Sequence, residues 1–235
     1  MKIEVCAANI QSALTAQRAG AHRIELCSAL DGGGLTPSAG LIYAAVQHLQ
    51  IPVNVLIRPR EGNFTYTRDE LQIMLDDIAF CHDAQVAGVV IGALDAQGHF
   101  DLHAMEAMVA SAEGLDITCH RAFDYVRDPF AALEALIDLG IRRVLTSGQQ
   151  TTAYEGRFLI QKLVEKADGR IEIMPGAGIT PKNIGEIAET TGAREFHMTG
   201  RKKTVQPTAH EIPGLEWCFW ESDEEIIREV LNYER

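Results

Sequence analysis

The chain of 235 residues is 46% hydrophobic and 23% charged, the composition of a globular domain with ample core, and its length is close to the ~250 residues of one α/β barrel. A formal net charge of −12 argues against general binding to nucleic acid or anionic membrane, because like charges repel, and no apolar run reaches the ~18 residues that span a bilayer. Five cysteines without short-spaced pairs fit reduced thiols in a cytoplasm better than a disulfide framework, and Met1-Lys2-Ile3-Glu4 runs straight into a strand, so no signal peptide is expected.

The first strand is predicted over about 2–7, with Asn9 capping a helix that stops at Gly20. The second spans roughly 23–27. A loop over 31–37 follows, with Thr36 and Pro37 set as cap and first turn of the second helix. Further strands fall at 53–58, 89–94, 117–121, 143–147, 171–175 and 195–199, with helices at about 67–84, 101–112, 128–139, 153–167 and 181–191. The strand at 89–94 is almost wholly apolar, as one buried on both faces should be. The segment 201–216 reads as irregular before a last helix near 223–233. Eight strand–helix units with short connections predict a TIM (β/α)8 barrel, a single domain over residues 1–235. The rival is a doubly wound open sheet, which would usually carry a Gly-rich phosphate loop after its first strand; that turn here is Ala7-Ala8-Asn9-Ile10.

Alternate strand residues share a face, so Glu4 and Cys6 point one way, as do Glu25 and Cys27, while Ile3, Val5, Ile24 and Leu26 point the other. A barrel interior is normally filled with branched apolar side chains; acids and thiols in that place mark a site. At the C-terminal strand ends, the functional face of such barrels, stand Cys6, Cys27, Arg58 with Arg60, His120 with Arg121 and Asp124, Ser147, and His197. Glu4, Glu25, Asn54, Thr118, Glu172 and Glu195 lie deeper on the same faces.

Two thiolates at equivalent positions of adjacent strands suit a soft ion, Cu(I) or Zn(II); the plain alternative is a pair of small buried hydrophobes. Glu4, Glu25, His120 and His197 would suit a harder divalent ion, or the acids would pair with Arg58 or Arg121. Several glutamates against few cations leave costly unpaired charge, which favours a functional cation or a raised pKa. Met174-Pro175-Gly176-Ala177-Gly178-Ile179 offers a phosphate cradle beside a helix N-terminus, backed by Arg201, Lys202 and Lys203, or merely a tight turn. Strand interiors lack lysine, against a Schiff-base aldolase. Without a Gly-x-Ser-x-Gly elbow, Ser147 is no hydrolase nucleophile by motif.

The ordered runs Glu4-Val5-Cys6, Arg23-Ile24-Glu25-Leu26-Cys27-Ser28, Gly33-Gly34-Leu35-Thr36-Pro37-Ser38, Ile57-Arg58-Pro59-Arg60, His120-Arg121-Ala122-Phe123-Asp124, Val144-Leu145-Thr146-Ser147-Gly148, Met174-Pro175-Gly176 and Glu195-Phe196-His197 resemble the CutC family of copper homeostasis proteins over about residues 1–200. The resemblance implies a TIM-type barrel, a cytoplasmic location and a role in copper handling, with Cys6 and Cys27 at the positions of the family's proposed Cu(I) thiolates. Glu61-Gly62-Asn63 and the stretch from Met198 to Lys202 depart from the family pattern beside the mouth.

Two functions are therefore carried forward. In the first, Cys6 and Cys27 bind Cu(I), with His197 as a further ligand. In the alternative, the chain is an enzyme acting on a small anionic metabolite, a carboxylate or phosphate, with a divalent metal as an optional cofactor. Arg58, Arg60, Arg121, Ser147, Gly176 and Gly178 would then hold the substrate, and His120, Glu25 and Asp124 would do the chemistry. The expected partners are a copper ion, such a metabolite or both, with no nucleic acid or membrane; a homo-oligomer is compatible with the sequence.

Overall fold

Short β-branched strands alternate with capped amphipathic helices along the whole chain, and the computed structural model, which describes residues 1–206 and 217–233, assembles them as a (β/α)8 barrel. The strands are β1 Lys2–Ala7, β2 Arg23–Leu26, β3 Val53–Leu56, β4 Gly88–Ile91, β5 Asp116–Cys119, β6 Arg143–Thr146, β7 Glu172–Pro175 and β8 Glu195–Met198. Between them run α1 Ile10–Ala19, α2 Ala39–His48, α3 Arg68–Asp83, α4 Leu102–Ser111, α5 Pro129–Asp138, α6 Arg157–Ala167 and α7 Ile184–Thr191. All eight strands are parallel, in the order β7-β6-β5-β4-β3-β2-β1-β8. The pairing of β1 with β8, Glu4 opposite His197, bends the sheet round until β8 stands beside β7. A doubly wound sheet has no such ladder between its first and last strands, so that rival is excluded.

Local signals explain most boundaries. Asn9 accepts a hydrogen bond from Ser12 N–H, and Gly20, at φ +99°, ends α1 in the left-handed conformation glycine favours. Thr67 and Glu70 form a reciprocal capping box on α3. Two expectations are corrected. The cap of α2 is Ser38, not Thr36, whose hydroxyl bonds Arg58 N–H at 2.9 Å and ties the β2 and β3 loops together. Residues 201–205, expected to be irregular, form β9 Arg201–Val205, which pairs antiparallel with β10 Cys218–Ser222 ahead of α8 Glu224–Leu231. Both faces of this ribbon are largely exposed, so it lacks the apolar alternation that reveals a strand. The rest of the expected irregular segment, 207–216, lies outside the described residues.

The two strand faces separate as parity predicts. Ile3, Val5, Ile24, Leu26, Val55, Val89, Ile91, Val144 and Phe196 are buried in the main core with the helices. The inner face carries Glu4, Arg23, Glu25, Asn54, Thr118, Arg143, Glu195 and His197, all buried.

Candidate functional site

Charged side chains fill the barrel from its floor to its mouth as one connected column. At the floor, Arg143 donates to Asp116 at 3.1 Å, to Thr118 Oγ1 at 2.9 Å and to Glu195 at 2.7 Å. Glu195 also pairs with Arg23 at 2.7 Å and with Lys2 at 3.3 Å. Arg23 reaches upward to Glu4, and Glu4 Oε1 lies 2.8 Å from His197 Nδ1. Burial pushes both glutamates up, but His197 and Arg23 outweigh it at Glu4, and Arg23 with Arg143 at Glu195, holding each at about 2. The interior acids therefore pair with Arg23 and Arg143, neither of which the strand-end reading singled out, rather than with Arg58 or Arg121.

Glu25 is the exception. No guanidinium lies within ion-pairing range of it among the described residues, and its Oε2 is buried without a hydrogen-bond partner. Burial raises its pKa, against the pull of His197. Its Oε1 accepts from Cys6 Sγ at 3.4 Å, and Cys6 Sγ lies 3.4 Å from Cys27 Sγ. Contact with Cys27, burial and the neighbouring carboxylate raise the Cys6 thiol well above its usual range. Ligand atoms of Cys6, Glu25 and His197 all lie within 4.8 Å of one another. Sequence reasoning grouped Cys6, Cys27 and His197 for a soft ion and offered Glu25 either to catalysis or to a harder divalent ion; the structure brings Glu25 together with Cys6 and His197 and sets Cys27 off the cavity wall.

This cluster has the chemistry of a metal site: an unpartnered buried carboxylate oxygen, two sulfurs in contact, and an imidazole aligned by a carboxylate. Glu4 holds His197 through Nδ1, the pairing that orients ligand histidines, and leaves Nε2 as the ring nitrogen open to an ion. In the protein alone, burial depresses the His197 pKa, but Glu25 and Glu4 outweigh it and the net shift is upward.

Above the cluster opens a cavity of about 380 Å3, in the range of small-molecule clefts. Cys6, Glu25, Arg58, His120, Arg121, Gly178 and His197 line it among apolar residues. Four predicted substrate or catalytic residues stand elsewhere. Arg60 is engaged by Glu70 and by the Thr65 carbonyl at 2.8 Å, away from the cavity. Asp124 is walled in: its carboxylate accepts from Arg121 Nε at 2.8 Å, Thr146 Oγ1 at 2.5 Å, Ser147 N at 3.0 Å and Gln149 N at 3.2 Å. Ser147 is fully buried, its hydroxyl 3.0 Å from Asp124 and 2.5 Å from the Gln150 carbonyl, so it closes the β6 turn. Gly176 is packed against side chains. A Cβ there would stand 2.4 Å from Leu145 Cδ1 and 3.2 Å from His197 Cβ. The helix that follows the predicted phosphate cradle, α7, begins at Ile184, with its first helical bond reaching back to the Thr180 carbonyl at 3.1 Å. Phe64 was not foreseen; it lies in the loop after β3, where no periodicity marks it.

The close approach at Gly176 carries a prediction. Gly176→Ala should destabilise the protein by about 1–3 kcal/mol, the usual cost of overpacking, and drive Leu145 toward the cavity. Urea denaturation measures it; an unchanged midpoint would show that Leu145 turns aside freely.

The CutC family profile matches residues 1–202. A CutC family protein of Pasteurella multocida is 50% identical over 228 residues, 97% of this chain and 93% of its own. The human copper homeostasis protein CutC homolog is 49% identical over 199 residues, 85% of this chain and 73% of its own. The crystal structure of CutC from Streptococcus agalactiae superposes with a TM-score of 0.82 at 37% identity, covering 85% of this chain and 98% of that one.

Proposed function

The chain belongs to the CutC family, and from that footing we propose that it serves copper homeostasis by binding Cu(I) at the barrel mouth through the Cys6 and Cys27 thiolates. The carrying observation is the contact of the two sulfurs, 3.4 Å apart at the ends of adjacent strands. Two sulfurs on one ion favour a soft metal. His197 offers a further nitrogen, and Glu25 supplies negative charge beside the bound cation. Both thiols must shed a proton on binding, so affinity falls as pH falls. Five cysteines without short-spaced pairs suit a reducing, cytoplasmic setting, and among the described residues no helix is long and apolar enough to cross a membrane.

Anaerobic competition against a chromophoric Cu(I) chelator tests this reading. Cys6→Ser and Cys27→Ser should each weaken binding by on the order of 100-fold or more, beyond what orienting residues alone contribute. Cys119→Ser is the control: Cys119 is buried on the outer strand face, in the core with the helices. Equal affinity in the parent and the first two variants would dismiss the thiolate site.

A further inference from the structure

We propose that Arg58, His120 and Phe64 form a binding site for a small organic carboxylate with an apolar body, in the cavity above the thiols. Arg58 is buried, and its two amino groups donate to the carbonyls of Gly32, Gly34 and Gly62 at 2.8–3.0 Å. These partners are neutral. Among the described residues no carboxylate lies within 4.0 Å of the guanidinium, and the Tyr66 hydroxyl that lies beside it is neutral as well. Buried charges are ordinarily paired; this one lacks its anion.

His120 supplies an orphan donor beside it. Its Nδ1 accepts the Ala122 N–H at 3.1 Å, which puts the ring proton on Nε2, and Nε2 is buried without a partner. Burial and the Arg58 charge push the imidazole down to about 3, so it stays neutral and keeps this tautomer. The Phe64 ring binds the pair together, 4.9 Å from the imidazole centre and 5.1 Å from Arg58 Cζ. Arg58, His120 and Phe64 all line the cavity, whose remaining wall is largely apolar, including Leu30, Leu56, Leu145 and Ile226.

The free His120 N–H and one uncompensated positive charge match an anion of single charge, a carboxylate. A phosphate would bring further anionic oxygens and a second charge against a wall that is mostly apolar, where burying charge is costly. Glu70 neutralises Arg60 and Asp124 neutralises Arg121, so the three-arginine clamp expected from sequence reduces to Arg58 assisted by a neutral histidine. None of the three residues is a copper ligand in the reading above, so failure of either proposal leaves the other standing.

The test uses 15N-labelled protein with cyclohexanecarboxylate, benzoate and 4-methylpentanoate as probes, and with cyclohexylmethanol and inorganic phosphate as controls. The expected result is a saturable rise in Tm and a shifted His120 Nε2–H resonance with the carboxylates only. His120→Asn keeps an oxygen for the Ala122 N–H but has no donor at the Nε2 position; it should weaken binding about tenfold or more, the value of one charge-assisted hydrogen bond. Ile226→Trp, on half-buried α8, narrows the cavity without touching the donors and should also lower affinity. No response to any of the three carboxylates, undiminished affinity in a natively folded His120→Asn, or phosphate binding as well as they do would each overturn the proposal.

Discussion

Replacing Arg23 with methionine should lower the unfolding free energy by about 3–5 kcal/mol, the cost of breaking a buried ion pair from one side. Methionine nearly preserves the side-chain volume, so the loss reports charge rather than a cavity. Arg23 bridges Glu4 on β1 and Glu195 on β8, the strands whose pairing closes the barrel. Without it, two buried carboxylates face each other across that seam. Adding Glu4→Gln to Arg23→Met should restore part of the loss, because it removes one stranded charge. Urea titrations of the parent, both single variants and the double variant complete the cycle. A loss below 1 kcal/mol in Arg23→Met would mean that the column merely tolerates its charges.

The same pairs set the response to acid. Glu4 and Glu195 are held at about 2, well below 4.5, so below pH 4.5 the unfolded chain binds protons that the native protein refuses. Their contribution is fully present above about pH 5 and drains away as pH falls toward 2. For Glu4 alone it is on the order of 3 kcal/mol. In Arg23→Met both carboxylates lose a main cationic partner and take up protons more readily in the native protein, so the acid loss should shrink and the gap to the parent should narrow as pH falls. Unfolding midpoints at successive pH values between 7 and 3 would show the narrowing; a gap that stays constant or widens would contradict it.

Strand parity made the barrel's two faces legible: it placed Glu4, Cys6, Glu25 and His197 inward and Val5, Ile24 and Leu26 outward, as observed. It also contained what was overlooked. Arg23 is two residues before Glu25 and shares its face, but a long cation at a strand start reads as a solvent-facing entry to the sheet. Depth along the barrel axis decides the pairing, and a linear sequence shows it poorly. Arg58 and Arg121 sit beyond the strand ends, out of reach of the floor acids, whereas Arg23 and Arg143 open their strands beside them. The hydrogen-bonding fate of Asp124, and the use of Arg60 by a helix capping box, depend on loop conformations that no periodicity encodes. The sequence offered Cys6 and His197 to a soft ion and Glu25 and His197 to a harder one; that Cys6, Glu25 and His197 come together depends on their depth along the barrel.

Asp124→Ala should be nearly as damaging as the loss of Arg23, at about 3–5 kcal/mol, and through a different cause. The carboxylate gathers the Arg121 guanidinium, the Thr146 hydroxyl and the backbone N–H groups of Ser147 and Gln149. Hydrogen bonds to a charged group contribute about 1.5–3 kcal/mol each, and buried donors left without an acceptor bear the full desolvation penalty. These donors form the β6 turn, where Gly148 has φ +68° and would bring a Cβ within 2.4 Å of the Gly156 carbonyl oxygen. The turn has little room to rearrange. Asp124→Asn retains one acceptor oxygen for Thr146, Ser147 and Gln149 but presents an amide to Arg121. It should therefore recover roughly half the loss and free the guanidinium at the cavity rim. Denaturation of both variants separates the two contributions: an Asn variant as unstable as Ala would place the stabilisation in the Arg121 pair, and one as stable as the parent would place it wholly in the turn. Either way, a mild effect of Asp124→Ala would return the carboxylate to the candidates for chemistry, since a group so enclosed is otherwise occupied in holding the wall from which Arg121 reaches the cavity.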